Sequence, residues 1–119
     1  MINRREIYIS SRRVKTNDYG IDMESFSKPQ RYDFFYMPSK SDIDYQLYGR
    51  DIGEIFIAFV DYNRFLGKFK VEDRVYLIDN ETTDLSFAEN DINGENANYK
   101  IVSILPQNLK IKLTFAKIK

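Results

Sequence analysis

The fold is decided by residues 68–79, Lys-Phe-Lys-Val-Glu-Asp-Arg-Val-Tyr-Leu-Ile-Asp, which predict a turn entering a β-strand. Two further strands follow, at residues 99–105 and 109–115, separated by a turn at residues 106–108. In the last segment Leu109, Ile111, Leu113 and Phe115 alternate with Lys110, Lys112 and Thr114. A two-residue period is typical of a strand with one buried and one solvated face. The C-terminal half therefore predicts a small antiparallel sheet or barrel.

The predicted turn at residues 106–108 contains a proline and an asparagine. Asn108 tolerates the left-handed backbone conformation that a tight turn needs. Pro106 has no backbone N–H, so we expect it where the ladder requires no hydrogen bond.

Composition favours one β-domain. A chain of 119 residues is long enough to bury a core, so we expect a single domain over residues 1–119. Nine tyrosines and nine phenylalanines suit half-buried pleated surfaces. We therefore predict an all-β fold, a small antiparallel β-barrel that is SH3-like or OB-like. It would carry a long loop between early strands and at most one short helical turn.

Most catalytic chemistry is excluded by residue type. The chain has no histidine and no cysteine, which removes the usual triads, imidazole ligands and thiolate sites. Carboxylates remain: Asp42, Asp44, Asp51 and Glu54 could hold a divalent cation, but such pairs are common on surfaces. Residues 91–96 resemble a calcium loop only superficially, and a hairpin turn is the better interpretation. We expect no enzymatic activity, no cofactor and no metal site.

Charge and hydropathy limit the partners. Eighteen basic and eighteen acidic side chains cancel, whereas a chain that neutralises phosphates usually has a basic excess. The N-terminus lacks the apolar run of a signal peptide, and no stretch approaches the length of a membrane span. We expect a soluble protein, made in a cytoplasm, with no membrane partner.

The N-terminal part predicts one strand and a charged edge. Residues 5–9 form the strand, with Ile7 and Ile9 on one face. Residues 10–16 carry Arg12, Arg13 and Lys15, which fit either a solvated strand or loop edge or an anion-binding patch. A turn follows at residues 18–20.

Residues 29–53 predict a long loop, because Pro29, Pro38 and a run of turn-forming residues interrupt the hydrophobic pattern. Within it, residues 32–37 contain four aromatic side chains. They fit either a core strand or a segment covered by a partner. Since neither proline suits a central strand, we expect any strand between them to be short or at an edge.

The middle of the chain predicts a strand, a turn and an insert. Residues 55–60 are apolar and β-forming, which indicates a strand buried on both faces. Residues 61–67 predict one helical turn, with Asp61 as N-cap and Gly67 after its end. Residues 79–98 predict a polar hairpin insert with an apolar contact from Leu85 and Phe87.

The order of these features resembles the head-closure or head–tail adaptor proteins of tailed bacteriophages, also called stoppers and connectors. The resemblance covers residues 50–119 and is carried by FKVEDRVYLID at 69–79 and NYKIVSILPQNLKIKLTFAKI at 98–118. The family pattern places Gly-Asp, a basic residue and an apolar–aromatic pair at the first site. This sequence departs at Glu72, where glycine is usual, so we expect different backbone angles there. The matching residues are Val71, Asp73, Arg74, Val75, Tyr76, Tyr99, Ile101 and Val102.

The resemblance implies a homo-oligomeric ring beneath the portal, within the virion. It would close the head, retain the DNA and dock the tail, contacting portal or adaptor proteins and a tail-completion protein. Genomic DNA would pass through without specific binding. The 29–53 loop would reach a neighbouring subunit or the channel. Its implied subunit or portal contacts are Tyr32, Phe34, Phe35, Tyr36, Tyr45 and Tyr48, and its implied channel-facing residues are Asp42, Asp44 and Asp51.

Two alternatives remain open on the sequence. A small barrel with basic strands and exposed aromatics could bind oligonucleotides, and Lys110, Lys112, Lys117 and Lys119 lie near many rings. However, Phe115 faces opposite to the lysines of its strand, which indicates core on one side and solvent on the other. A tail-completion or tail-terminator subunit is the second alternative.

Overall fold

The computed structural model describes residues 4–39, 55–79, 82 and 84–118. Within these residues it contains eight strands and two four-residue helices. The strands are β1 (Arg4–Ser10), β2 (Arg12–Thr16), β3 (Asp22–Phe26), β4 (Gln30–Pro38), β5 (Ile55–Asp61), β6 (Arg74–Tyr76), β7 (Tyr99–Gln107) and β8 (Lys110–Lys117). The helices are α1 (Tyr62–Phe65) and α2 (Ser86–Glu89).

Six strands form a closed antiparallel barrel in the order β1-β4-β5-β8-β7-β6, with β6 pairing back to β1. The strands β2 and β3 form a separate two-stranded sheet between β1 and β4 in sequence. The predicted all-β barrel is confirmed. Because the barrel closes, its strands have no free edge at which another chain could add.

The core fills the barrel with the inward-facing residues of every strand. Ile7 and Ile9 are buried together, as the period of residues 5–9 predicts. The buried tyrosines find partners for their hydroxyls: Tyr36 donates to the Ile78 carbonyl and accepts from the Ile78 N–H, both at 3.0 Å. The Tyr99 hydroxyl donates to Asp79 Oδ2 at 2.8 Å. Burial of these rings therefore leaves no polar end unsatisfied.

The C-terminal prediction is confirmed in pairing and corrected at its turn. The pairs Arg74↔Lys100 and Val75↔Tyr99 join β6 to β7, and β7 pairs along β8 as far as Gln107↔Lys110. The turn is thus only two residues long. Asn108 has φ 54°, as predicted, whereas Pro106 lies in β7 and Leu109 is 72% exposed in the turn rather than on the buried face.

The predicted 29–53 loop is wrong for its first part, because Gln30–Pro38 form β4. This nine-residue strand lies between β1 and β5, so it is neither short nor at an edge. Pro29 precedes the strand and Pro38 is its last residue, so neither removes a hydrogen bond from the middle of the ladder. Residues 40–54, which hold the remainder of the predicted loop, lie outside the described residues.

The middle of the chain follows its predicted order. The strand β5 is present, but Phe59 is 46% exposed, so burial on both faces is wrong at that position. Asp61 is the N-cap residue of α1 without a side-chain capping bond, and Gly67 has φ 78° just past the C-cap Leu66. A second helical turn, α2, lies within the 79–98 insert, so the prediction of at most one short helical turn is wrong.

Candidate interaction surfaces

A β-hairpin projects between β1 and β4, and we call residues 11–27 the arm. Its two strands pair from Arg12↔Phe26 to Thr16↔Asp22. Large apolar side chains along it are exposed to solvent: Val14 by 47%, Tyr19 by 88%, Ile21 by 60% and Met23 by 58%. The arm therefore carries apolar surface that the barrel does not cover.

The tip of the arm is held by one asparagine. Asn17 Oδ1 accepts hydrogen bonds from the N–H groups of Tyr19 at 2.9 Å and Ile21 at 3.0 Å. The Asn17 N–H donates to the Ile21 carbonyl at 2.9 Å, and Gly20 takes φ 75°. These bonds fix the turn in one conformation and leave the Tyr19 ring in solvent.

The base of the arm is bound to the barrel and to the insert. The Arg12 N–H donates to Asp73 Oδ1 at 2.8 Å, and the Phe26 N–H donates to Asn93 Oδ1 at 2.8 Å. The Arg74 guanidinium lies 4.7 Å from the centre of the Phe26 ring. Both strands of the arm are therefore held at their barrel ends.

The Glu72–Asp73–Arg74 turn supplies this anchor. Asp73 is 1% exposed and also accepts from the Lys70 N–H at 2.9 Å. Glu72 has φ 79°, in the left-handed region that favours glycine. The expectation of different backbone angles at Glu72 is therefore wrong: the turn keeps a glycine-type conformation and accepts the strain of a side chain there.

A groove of about 500 Å³ lies on the outside of the barrel, across β1, β4, β5 and α1. Phe35 and Phe59 stand on its sides, exposed by 59% and 46%. The Arg5 guanidinium lies 5.2 Å from the centre of the Phe35 ring. Its floor belongs to an aromatic cluster in which Tyr32 and Phe34 stack at 5.2 Å and Phe65 meets Phe34 edge-on at 5.0 Å.

The polar lining of the groove is mostly cationic, with Arg5, Arg31 and Arg64 against Asp33 and Asp61. Arg31 bridges Glu6 at 3.3 Å and Asp33 at 3.2 Å. The hydrogen bond to Glu6 and the charge of Asp33 raise the pKa of Arg31 above its usual value. Since Arg31 is held by two carboxylates, Arg5 and Arg64 are the cations that face an incoming group.

The 79–98 insert is fastened to the barrel by Tyr76. Its hydroxyl donates to Asp91 Oδ2 at 2.6 Å and accepts from Ser10 Oγ at 3.4 Å. Burial, and then the hydrogen bond to Asp91, raise the pKa of Tyr76 well above its usual range. Leu85 is buried and Phe87 packs beside Tyr76, so the predicted apolar contact from the insert is confirmed.

The predicted contact residues divide into core and surface. Phe34 and Tyr36 are 7% and 0% exposed, so the core-strand alternative is right for both. Their implied contact with a subunit or portal stays a prediction. Tyr32 is half-buried, and Phe35 points outward into the groove. The remaining candidates, Tyr45, Tyr48, Asp42, Asp44 and Asp51, lie outside the described residues, as does Glu54.

The sequence interpretation missed the arm as an element. It assigned Arg12, Arg13 and Lys15 to a charged edge, and all three lie on β2, where Arg12 pairs with Glu24 at 2.6 Å. The usable signal was a turn at residues 18–20 between two short segments of mixed polarity. Mixed polarity on both faces indicates a ribbon exposed on both sides, which neither a core strand nor a loop would show.

Comparison of the chain with protein-family models, with curated proteins and with solved structures finds no match. Among residues 4–39, 55–79, 82 and 84–118, no three acidic side chains are grouped so that they could hold a metal ion. Over the same residues, no helix has the length and apolar character needed to cross a membrane.

Proposed function

We propose that this chain is a structural subunit of the head–tail connector of a tailed bacteriophage. In this role it forms a ring beneath the portal, closes the head, retains the DNA and docks the tail. The observation that carries the proposal is a closed barrel from which a rigidly anchored arm projects, with apolar side chains exposed along it.

The arm is built for a partner rather than for the barrel core. A two-stranded hairpin is marginally stable by itself, and exposed apolar clusters mark interaction sites. Here Tyr19, Ile21 and Met23 are each more than half exposed. Tyr19 and Ile21 lie in the turn that Asn17 holds in place, and Met23 lies on β3. Because the barrel itself has no free edge, assembly has to use surfaces outside the barrel ladder, and the arm is such a surface.

The arm and the groove are different patches, and no arm residue lines the groove. Contacts between two different patches of the same chain propagate head to tail and close into a ring when the rotation allows. A ring is the architecture that a portal and a tail both require at their junction. These two surfaces therefore support a ring subunit better than a free monomer.

The turn at residues 71–76 supports the resemblance on which the proposal draws. Glu72 adopts a backbone conformation suited to glycine, the residue usual at that position in stopper and connector proteins. Asp73 and Arg74, which follow, both bind the arm. In this interpretation the motif matters because it fixes the arm on the barrel.

A second candidate function, oligonucleotide binding, is favoured by one observation. Phe35 and Phe59 stand exposed beside Arg5 and Arg64, an arrangement on which bases could stack while phosphates contact guanidinium groups. Against it, Asp33 and Asp61 line the same groove and would repel phosphate. The connector function uses the same aromatic surface for protein contacts.

A density-gradient separation of lysate from the producing cells tests the connector function. We expect the protein to migrate with DNA-filled particles, and particles lacking it to lose their DNA. Migration only as a small free protein would contradict the proposal. Particles that keep their DNA but lack tails would instead place the chain as a tail-completion subunit.

An oligonucleotide titration distinguishes the second candidate function, oligonucleotide binding, from the connector function. Binding of a labelled single strand that weakens steeply with salt would support it, because each neutralised phosphate releases counterions. The connector function predicts no such binding. Phe59→Ala is the informative variant, since it removes a stacking surface without changing charge.

A further inference from the structure

We infer that the tip of the arm, residues 16–22, docks into the Phe35–Phe59 groove of a neighbouring copy of this chain. The inference rests on the proposed ring and names the contact that joins its subunits. It assigns one occupant to the groove and one receptor to the arm.

The tip has the chemistry of an anchor. Tyr19 is 88% exposed, and its backbone is held because Asn17 Oδ1 accepts hydrogen bonds from the Tyr19 and Ile21 N–H groups. A held backbone lowers the entropy lost on docking, and tyrosine is among the residues that dominate interface energies. Ile21 adds a second apolar group, 60% exposed, two residues further on.

The groove has the chemistry of a receptor for such a ring. Phe35 and Phe59 present aromatic faces, and Tyr32, Phe34 and Phe65 form a packed floor. Aromatic pairs gain from offset or edge-to-face contact beyond the area they bury. A volume of about 500 Å³ accommodates a tyrosine side chain with part of the turn that carries it.

The net charges of the two surfaces are opposite in sign, although the groove lining holds two aspartates beside its three arginines. Residues 16–22 contain Asp18 and Asp22 and no lysine or arginine. The groove presents Arg5 and Arg64, the two lining arginines that no carboxylate bridges among the described ion pairs. Complementary charge fixes the register of a contact and speeds encounter.

The arm is long enough to reach another subunit. Five-residue strands extend about 17 Å from the barrel surface. Its base is bound to Asp73 and Asn93, so the tip is presented in a constant direction. The contact is heterologous, so a chain that offers both an arm and a groove propagates the assembly.

Cysteine cross-linking tests the contact directly, because the chain contains no cysteine of its own. Asp18→Cys and Asp33→Cys variants, which keep Tyr19, Phe35 and Phe59, are mixed under a mild oxidant, both as purified chains at high concentration and as assembled rings or particles. The control pair is Asp18→Cys with Leu105→Cys, since Leu105 is 48% exposed on β7, away from the groove. All three positions are exposed, so folding is not at risk.

We expect the cysteine pair at positions 18 and 33 to form the disulfide about tenfold faster than the control pair, because docking raises the local thiol concentration. A single chain carrying both cysteines should give a ladder of linked multimers. Asp22→Arg should slow linkage several-fold, and pairing it with Arg64→Asp should restore the rate.

Equal rates for the two pairs, in solution and in the assembled state, would overturn the inference. So would a disulfide formed only within one chain, which would show the arm folding back onto its own groove. If the protein migrates with particles but the pair does not link, the docking contact fails and the connector function stands. If the pair links but no particle contains the protein, the connector function fails and self-association stands.

Discussion

Glu72 holds a backbone conformation that costs a side-chain-bearing residue roughly 1 kcal/mol or more. Ion pairs offset this cost only weakly, because the Glu72 carboxylate reaches Lys100 at 3.4 Å and Arg74 at 3.7 Å in partly exposed pairs. We therefore expect Glu72→Gly to raise the free energy of unfolding by about 1 kcal/mol. Urea unfolding measures this.

Glu72→Ala is the matched control for that change, because it removes the ion pairs and keeps the strained side-chain geometry. We expect Glu72→Ala to be slightly less stable than the original chain. If the glycine variant is no more stable than the alanine variant, the positive φ at residue 72 does not destabilise the protein.

Tyr76 predicts a loss of stability at high pH. Its pKa is raised in the folded protein by burial and by Asp91, so the folded state holds the phenol proton more tightly than the unfolded chain does. The stabilisation is complete below the unfolded pKa of about 10 and is lost as pH rises through the higher folded pKa. The free energy of unfolding should therefore be lower at pH 11 than at pH 8.

Tyr76→Phe isolates this residue from the other tyrosines. The variant loses its hydrogen bond to Asp91, which we expect to cost about 1–2 kcal/mol at pH 8. Because it no longer titrates, its further loss between pH 8 and pH 11 should be smaller than that of the original chain. An equal loss in both proteins would place the alkaline sensitivity elsewhere.

At the level of secondary-structure elements, the packing at the base of the arm depends on Gly94. A Cβ at this position would lie 3.0 Å from Arg74 Cγ and 3.2 Å from the Phe26 ring. Gly94 has φ 69° and Gly67 has φ 78°, and an added Cβ at Gly67 meets nothing within 4 Å. An alanine at either position would therefore carry a similar backbone cost, and only at Gly94 would its Cβ also press against Phe26 and Arg74.

We expect Gly94→Ala to be about 1 kcal/mol less stable than Gly67→Ala, since only the former also displaces packed atoms. It should also free the base of the arm, so trypsin should cleave faster at Arg12, Arg13 and Lys15. Equal stability and equal cleavage in the two variants would show that Phe26 and Arg74 do not hold the arm.

How far the sequence predicts the elements depends on how local their signals are. Residues 109–115 and residues 5–9 alternate with period two, and both form strands as expected. The strand β4 was obscured by Pro29 and Pro38, because their effect depends on whether they lie inside a ladder or at its ends, which pairing alone decides. The sequence also does not show which of two adjacent phenylalanines is buried, because strand pairing decides it: Phe34 lies in the core and Phe35 is exposed.

The arm and the groove show what sequence could not supply. The turn of the arm could be recognised from the local sequence. Its exposure could not, because it results from a barrel that closes without β2 and β3. The groove joins Arg5, Phe35 and Phe59 from three strands far apart in sequence. No spacing rule links such residues, so only the register of β1, β4 and β5 reveals the site.

For the molecule as a whole, we propose that the closed barrel, the exposed arm and the aromatic groove act together in assembly. Tyr19→Ala should fold normally, because Tyr19 is 88% exposed, yet enter particles several-fold less than the original chain. Gradient fractions probed for the protein measure this, with Leu109→Ala, 72% exposed in the β7–β8 turn, as the control. Equal incorporation of both variants would remove the arm from assembly.

The position of the protein on a particle tests the proposed connector function most directly. Electron microscopy of purified particles, with the protein labelled by a gold-conjugated antibody, gives that position. We expect label at a single vertex, at the joint between head and tail. Label spread over the capsid, or particles without label while the protein is abundant in the same lysate, would contradict it.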